Sequence, residues 1–369
     1  MIDALPVGQS LLDEVLVAVL GLCVVLAFVV VASRVWIQRT ATSSRERLAP
    51  LRTDLIAVGA GEDPSGKSRR RLVDDRVAGT VLDRALVDLL TKVRGAPAED
   101  LVAVLRERHG VSTALRSLDA ASSVRRARAT RTLGLLRDPA LTDDIVRMLS
   151  DRSREVRIVA ARAVGAIGAG AGSEAAEAVL RAVRTRRSGP GVPATVAMQT
   201  LTRLGVEAGS AVSMGLEDSD PGVRNVAAAV AGHSLFIGCV PRLTRLAATD
   251  EDRTVRVSAT EALGAVGRPE DVPAVAHLLA PEQPAVVRRA AARALGELGG
   301  TDAVAVLVSV LADEDRFLAV ASASSLAQSD EGRRALRRTA QDSHAPEAAR
   351  SAVRGAVQLL DLQSSERAG

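Results

Sequence analysis

The chain has 369 residues, 47% hydrophobic but only 1% aromatic, with two cysteines and a formal net charge of +4. Three Phe, one Trp and no Tyr argue against functions built on stacking platforms or aromatic anchors. Cys23 and Cys239 lie in unlike segments, which argues against a disulfide framework and reads as two small buried hydrophobes.

Charge is spread unevenly along the chain. Residues 1–33 carry −3, residues 34–76 carry +4 from ten basic and six acidic residues, and the remainder carries +3. Val15 to Ser33 runs 19 residues without a charge. At about 1.5 Å per residue this spans roughly 28 Å, close to a bilayer's hydrocarbon thickness. A cleaved signal peptide is the rival reading, but Asp3, Asp13 and Glu14 stand where its positive region belongs. The expected arrangement is therefore a transmembrane helix over 15–37 after a short extracytoplasmic N-terminus over 1–14. Arg34, Arg39, Arg45, Arg47 and Arg52 all follow the span. This bias puts the N-terminus outside the cell membrane and the rest in the cytoplasm. A basic juxtamembrane segment and Gly-rich linker follow over 38–79.

Within that linker, Gly61, Gly66, Lys67 and Ser68 match the phosphate-binding pattern G-x4-G-K-[ST]. That loop works between a buried strand and a helix N-terminus. Here only Leu55 to Val58 precede it, and Glu62 and Asp63 place negative charge inside the cradle. The segment reads as a linker, with no nucleotide.

From residue 80 the pattern is helical. Val81, Leu82, Ala85, Leu86, Leu89 and Leu90 form a 3.6-residue stripe, and residues 80–119 make a helical cap. A skeleton then recurs: an acid, Val-Arg five and six positions on, and an Ala-rich run ending in Gly eight positions after the Arg. It gives Asp151 with Arg157, Asp218 with Arg224, Asp250 with Arg256 and Glu282 with Arg288; Arg126 belongs to a weaker copy. A copy at Pro193 to Thr202 has lost its Arg. The period of about 31 to 32 residues, with two helical runs per copy, predicts an all-α solenoid of about eight repeats over 120–361. A polar tail follows over 362–369.

Partly buried Arg needs a carboxylate. Each Arg is therefore expected to pair with the turn Asp of its own or an adjacent unit, forming a ladder. The turn Asp is also expected to cap the next helix, and Gly165, Gly264 and Gly296 to terminate helices. The skeleton resembles the short HEAT-repeat class, also called the bilin-lyase-type or PBS lyase HEAT-like repeat. The resemblance implies a right-handed superhelix. An apolar N-terminal segment before such an array resembles bacterial membrane-tethered HEAT proteins. That implies a scaffold binding a protein partner beside an envelope enzyme such as a membrane glycosyltransferase, with lipid contacts through the N-terminal helix. The alternative it implies is a hydroxylase or a bilin-lyase-like subunit.

His109, His233, His277 and His344 show no metal-ligand spacing and no His-Glu pair, so neither a metal nor a cofactor is expected and no catalytic constellation stands out. Residues 116–162 hold eleven Arg against six acids. Without aromatics, that stretch does not read as a nucleic-acid interface. The remaining candidates are outward positions on the second helices that vary from copy to copy. One lane holds Asn225, Val257 and Arg289; the other holds Arg131, Arg162, Gln199, Glu261 and Arg293, with Arg128 beside it. The sequence Arg184–Gly191 lengthens one period and reads as a surface insertion.

Overall fold

A computed structural model describes residues 19–23, 25–28, 46–185 and 189–356. The chain divides into two compact units, residues 1–113 and 114–369. All regular elements of the described residues are helices. Residues 19–23 and 25–28 are helical, and the rest of the expected span and the tail over 362–369 lie outside the described residues. Among the described residues no helix is long and apolar enough to cross a membrane. A span needs about 20 consecutive apolar helical residues. The single-pass membrane placement is therefore corrected, and the lipid and glycosyltransferase contacts inferred from it lose their basis.

The first unit contains α1 (Arg52–Ala60), α2 (Lys67–Asp74), α3 (Gly79–Leu90) and α4 (Ala96–Glu107). Each of the first three packs on α4, burying Leu55, Leu72, Leu82, Leu86, Leu101 and Leu105. The G-x4-G-K-[ST] segment joins two helices, not a strand to a helix. The Asp63 carboxylate accepts the Arg69 amide at 2.8 Å. That bond, with weaker ones from the Ser68 and Lys67 amides, holds Asp63 below the ordinary carboxyl value. The chain's own acid thus fills the place a phosphate would need. Arg108 closes this unit from within, its Nε donating to Asp83 at 3.0 Å and its Nη1 to the Asp75 carbonyl at 2.6 Å.

The boundary between units falls inside α5 (Gly110–Ser117). The helices of the second unit follow in order. They are α6 (Ser123–Leu135), α7 (Thr142–Met148), α8 (Arg154–Ile167), α9 (Gly172–Val183), α10 (Ala194–Leu204), α11 (Gly209–Gly215) and α12 (Pro221–His233). They continue with α13 (Val240–Thr249), α14 (Arg253–Val266), α15 (Val272–His277), α16 (Ala285–Leu298), α17 (Gly300–Ser309), α18 (Arg316–Leu326) and α19 (Asp330–Gln341). The even-numbered helices from α6 to α18 stack successively, and the odd-numbered helices form a second layer against them. This is a helical solenoid, as the period demands.

The even-helix layer is tight because its facing residues are small. Ala160, Ala161, Ala227, Ala228, Ala290, Ala291 and Ala292 are buried. The recurring glycines act here too, contrary to expectation. A Cβ on Gly232 would lie 2.8 Å from the Ala262 Cα, and one on Gly264 would lie 2.7 Å from the Ala294 Cα. On Gly296 it would lie 2.6 Å from the Ser325 Cβ. These glycines sit within helices and let the next helix's backbone approach; they do not terminate anything. Termination falls to residues such as Gly168 and Gly205, at φ 73° and 63°, where a side chain would be strained.

The even-helix face as a candidate partner-binding site

Each ladder Arg sits one turn into an even-numbered helix and reaches two ways. Arg126 donates from Nη1 to the Ala120 and Ala121 carbonyls of its own turn at 2.9 and 3.0 Å. Its Nε and Nη2 form a fork on Asp151 of the following turn at 2.7 and 2.8 Å. Arg224 repeats this on its own Asp218 carbonyl at 2.8 Å and on Asp250 at 2.7 and 2.8 Å. Arg288 forks Asp313 with Nη1 and Nη2 and donates from Nε to the Leu279 carbonyl at 2.8 Å. In these three rungs the partner acid belongs to the next unit, while the unit's own turn contributes only backbone carbonyls.

The ladder acid also organises its turn. Asp151, Asp218, Asp250 and Asp313 each accept the amide two residues on, at 2.7 to 2.9 Å. Burial pushes the Asp151 carboxyl up, but hydrogen bonds from Arg126 and the Ser153 amide outweigh it and leave it below its ordinary value. The Asp250 fork raises Arg224. Helix capping, expected of these same acids, is done by the residue two positions later. Asp220, Asp252 and Asp315 accept first-turn amides of α12, α14 and α18. The Asp-x-Asp spacing at 218/220, 250/252 and 313/315 carries this signal in the sequence, because one acid cannot face both the preceding Arg and the following helix.

Three rungs depart from the expected pairing. Arg157 is fully buried, and its Nη atoms donate to the Asp151, Arg152 and Pro190 carbonyls at 2.8, 3.2 and 2.8 Å. Pro190 lies in the inserted loop, so the insertion supplies a carbonyl to this guanidinium, where Arg126, Arg224 and Arg288 reach a carboxylate. Asp218, left without a ladder Arg by the copy at Pro193, is taken by Arg184 from the end of α9. Arg256 binds the Gln283 side chain and the Ala247 carbonyl; Glu282, expected in the ladder, is exposed.

The expected recognition residues lie on the other side of the same helices. Arg128, Arg131, Arg162, Gln199, Glu261 and Arg293 are exposed, and Asn225, Val257 and Arg289 are half-buried. Several are already joined across adjacent helices. The Asn225 Oδ1 accepts from the Ser258 hydroxyl at 2.6 Å. Arg293 pairs with Glu261 at 2.8 Å. Arg289 donates to Asp315 at 3.0 Å and stacks 5.0 Å from the Phe317 ring centre, with Arg316 at 4.8 Å. Arg128, Arg131 and Arg162 have no carboxylate partner among the described residues. The Phe317 cluster was not foreseen, because a lone aromatic gives no periodic signal. The four histidines are all exposed and lie at or just beyond helix ends.

Models of HEAT repeats match residues 111–198 and 211–295, and the PBS lyase HEAT-like repeat matches residues 287–313. No curated protein matches the chain. Among solved structures, Kap121p bound to Nup53p is 14% identical over 74% of this chain and 33% of that one, with a TM-score of 0.50. Kap121p bound to Pho4p is 13% identical over 71% and 33%, with a TM-score of 0.51. The CpcE–CpcF complex of phycocyanin lyase from Nostoc sp. PCC7120 is 18% identical over 66% and 92%, with a TM-score of 0.30. The chain thus spans about a third of the Kap121p length, and the likeness is one of fold.

Proposed function

We propose, on the premise that the second unit is an array of HEAT repeats, that the chain is a non-enzymatic scaffold holding a protein partner along its even-helix face. One observation carries this reading. Inward positions repeat from copy to copy, whereas the outward position five residues after the ladder Arg reads Arg131, Arg162, Gln199, Ala229, Glu261 and Arg293. Packing demands the first set and leaves the second free to vary, as recognition of a partner requires. The Arg–Asp pairs, which resemble acid–base pairs on paper, are consumed in the ladder. Kap121p, seen bound to Nup53p and to Pho4p, gives a precedent for protein ligands on this fold.

Lys67 and Lys92, the two lysines, both precede the array, so amine crosslinkers cannot report on it. A photo-crosslinking residue placed at 131, 199 or 261 is expected to capture one protein. The same residue at Arg245, exposed on the opposite layer, is expected to capture none. Equal capture from both layers, or stoichiometric iron in the purified chain, would overturn the scaffold reading.

A further inference from the structure

The outward face is not electrically uniform. Toward α14, α16 and α18 its charges are met internally, Arg293 by Glu261 and Arg289 by Asp315. Across α6 and α8 the acids are otherwise engaged. Asp151 lies in the ladder, Glu155 accepts from the Ser153 hydroxyl at 2.7 Å, and Asp119 pairs with Arg147. Arg128, Arg131 and Arg162 remain exposed with no carboxylate among the described residues. A guanidinium fork is pre-shaped for a carboxylate, and here three stand together without one.

We infer that this end of the face takes an acidic peptide segment of the partner in the polyproline II conformation, with two carboxylates three residues apart. The inference rests on the scaffold reading above. Arg131 and Arg162 each stand five residues after a ladder Arg, so they occupy equivalent places on neighbouring helices. Packed helices lie about 8–10 Å apart, and residues i and i+3 of a polyproline II segment stand on one side of it about 9 Å apart. Two carboxylates at that spacing meet one Arg on each helix. Arg128 flanks the first of them, and exposed Val124 shares its stripe of α6, offering an aliphatic contact beside the charges. A nucleic-acid strand fits less well. Glu155 is exposed on the same stripe of α8 as Arg162, where a continuous phosphate chain would meet it, and no aromatic residue lies in 116–162.

The test is fluorescence anisotropy with the full chain at low salt and labelled twelve-residue Ser/Ala peptides. One peptide carries two Glu at i and i+3, a second carries them adjacent, and a third has Gln in their place. The i,i+3 peptide is expected to bind most tightly. R131E/R162E is expected to weaken it about tenfold or more without moving the thermal midpoint. R293E, whose native Arg is already paired, is expected to leave binding unchanged. Equal binding of the Gln peptide, indifference to R131E/R162E, no binding of any peptide, or stronger competition by a DNA duplex of matched charge would each overturn the inference. If crosslinks still map to the even-helix face, that failure leaves the scaffold reading standing; absent crosslinks sink the scaffold reading itself.

Discussion

The repeats from α12 to α16, apart from the Arg256 rung, and those from α8 to α10 answer the same structural demand with different chemistry. In the regular stretch, Arg224 gathers its own turn's carbonyls and forks the next unit's Asp250, whose side chain is only 4% exposed. In the interrupted stretch, Arg157 gathers its turn equally but ends on the Pro190 carbonyl, and Arg184 comes from another helix to hold Asp218. What both share is a guanidinium filling the carbonyls of an acidic turn. The ladder's constant task is therefore to satisfy backbone acceptors at a helix junction, and the interunit ion pair is added where the next turn supplies an acid.

Breaking a regular rung should have the largest effect. Arg224→Ala leaves the Asp250 carboxylate buried without its cation and is expected to cost about 3 kcal/mol in urea unfolding at neutral pH. Adding Asp250→Asn should recover part of that loss, because the stranded charge is removed. Arg157→Ala should cost less, about 2 kcal/mol, through the loss of the donor to the Asp151, Arg152 and Pro190 carbonyls. Equal costs would erase the distinction between the two stretches.

The smallest effect separates the stretches by pH. Glu297 is exposed as a residue, but a Cβ on Gly264 would lie 2.7 Å from its carboxylate Oε2. Burial there, with the Glu261 charge nearby, raises its carboxyl above the ordinary value despite the opposing pull of Arg293. The folded state then holds this proton more tightly than the unfolded chain. Its contribution is present below the ordinary Glu range of about 4.3 and is lost as pH rises through the raised value. Glu297→Gln should flatten the stability profile just above that range. The positions matching Glu261 in α8 and α10 are Arg162 and Gln199, so Gln199→Glu should not create such a dependence.

Much of this architecture is legible in the chain because repeats write local rules many times over. The period, the helix pairs and the choice of Arg and Asp follow from spacing that a single unit already contains. The Asp-x-Asp doublet was equally legible, and it divides capping from ladder duty between two acids. The apolar run at Val15 to Ser33 suggested a span by hydropathy alone, whereas no helix of the described residues is long and apolar enough to cross a membrane. The glycines misled because a Gly near a helix end reads alike whether it bends the chain or admits a neighbour.

The sequence by itself determined that a solenoid forms and which residue types line its seam, since burial and periodicity act within tens of residues. Tertiary structure alone decided that each Arg reaches forward to the next unit and that the Pro190 carbonyl accepts from Arg157. It also decided that Arg131 and Arg162 stand uncompensated while Arg293 does not. Those outcomes depend on distances between side chains 25 to 40 residues apart, which adjacent helices fix only once they have packed.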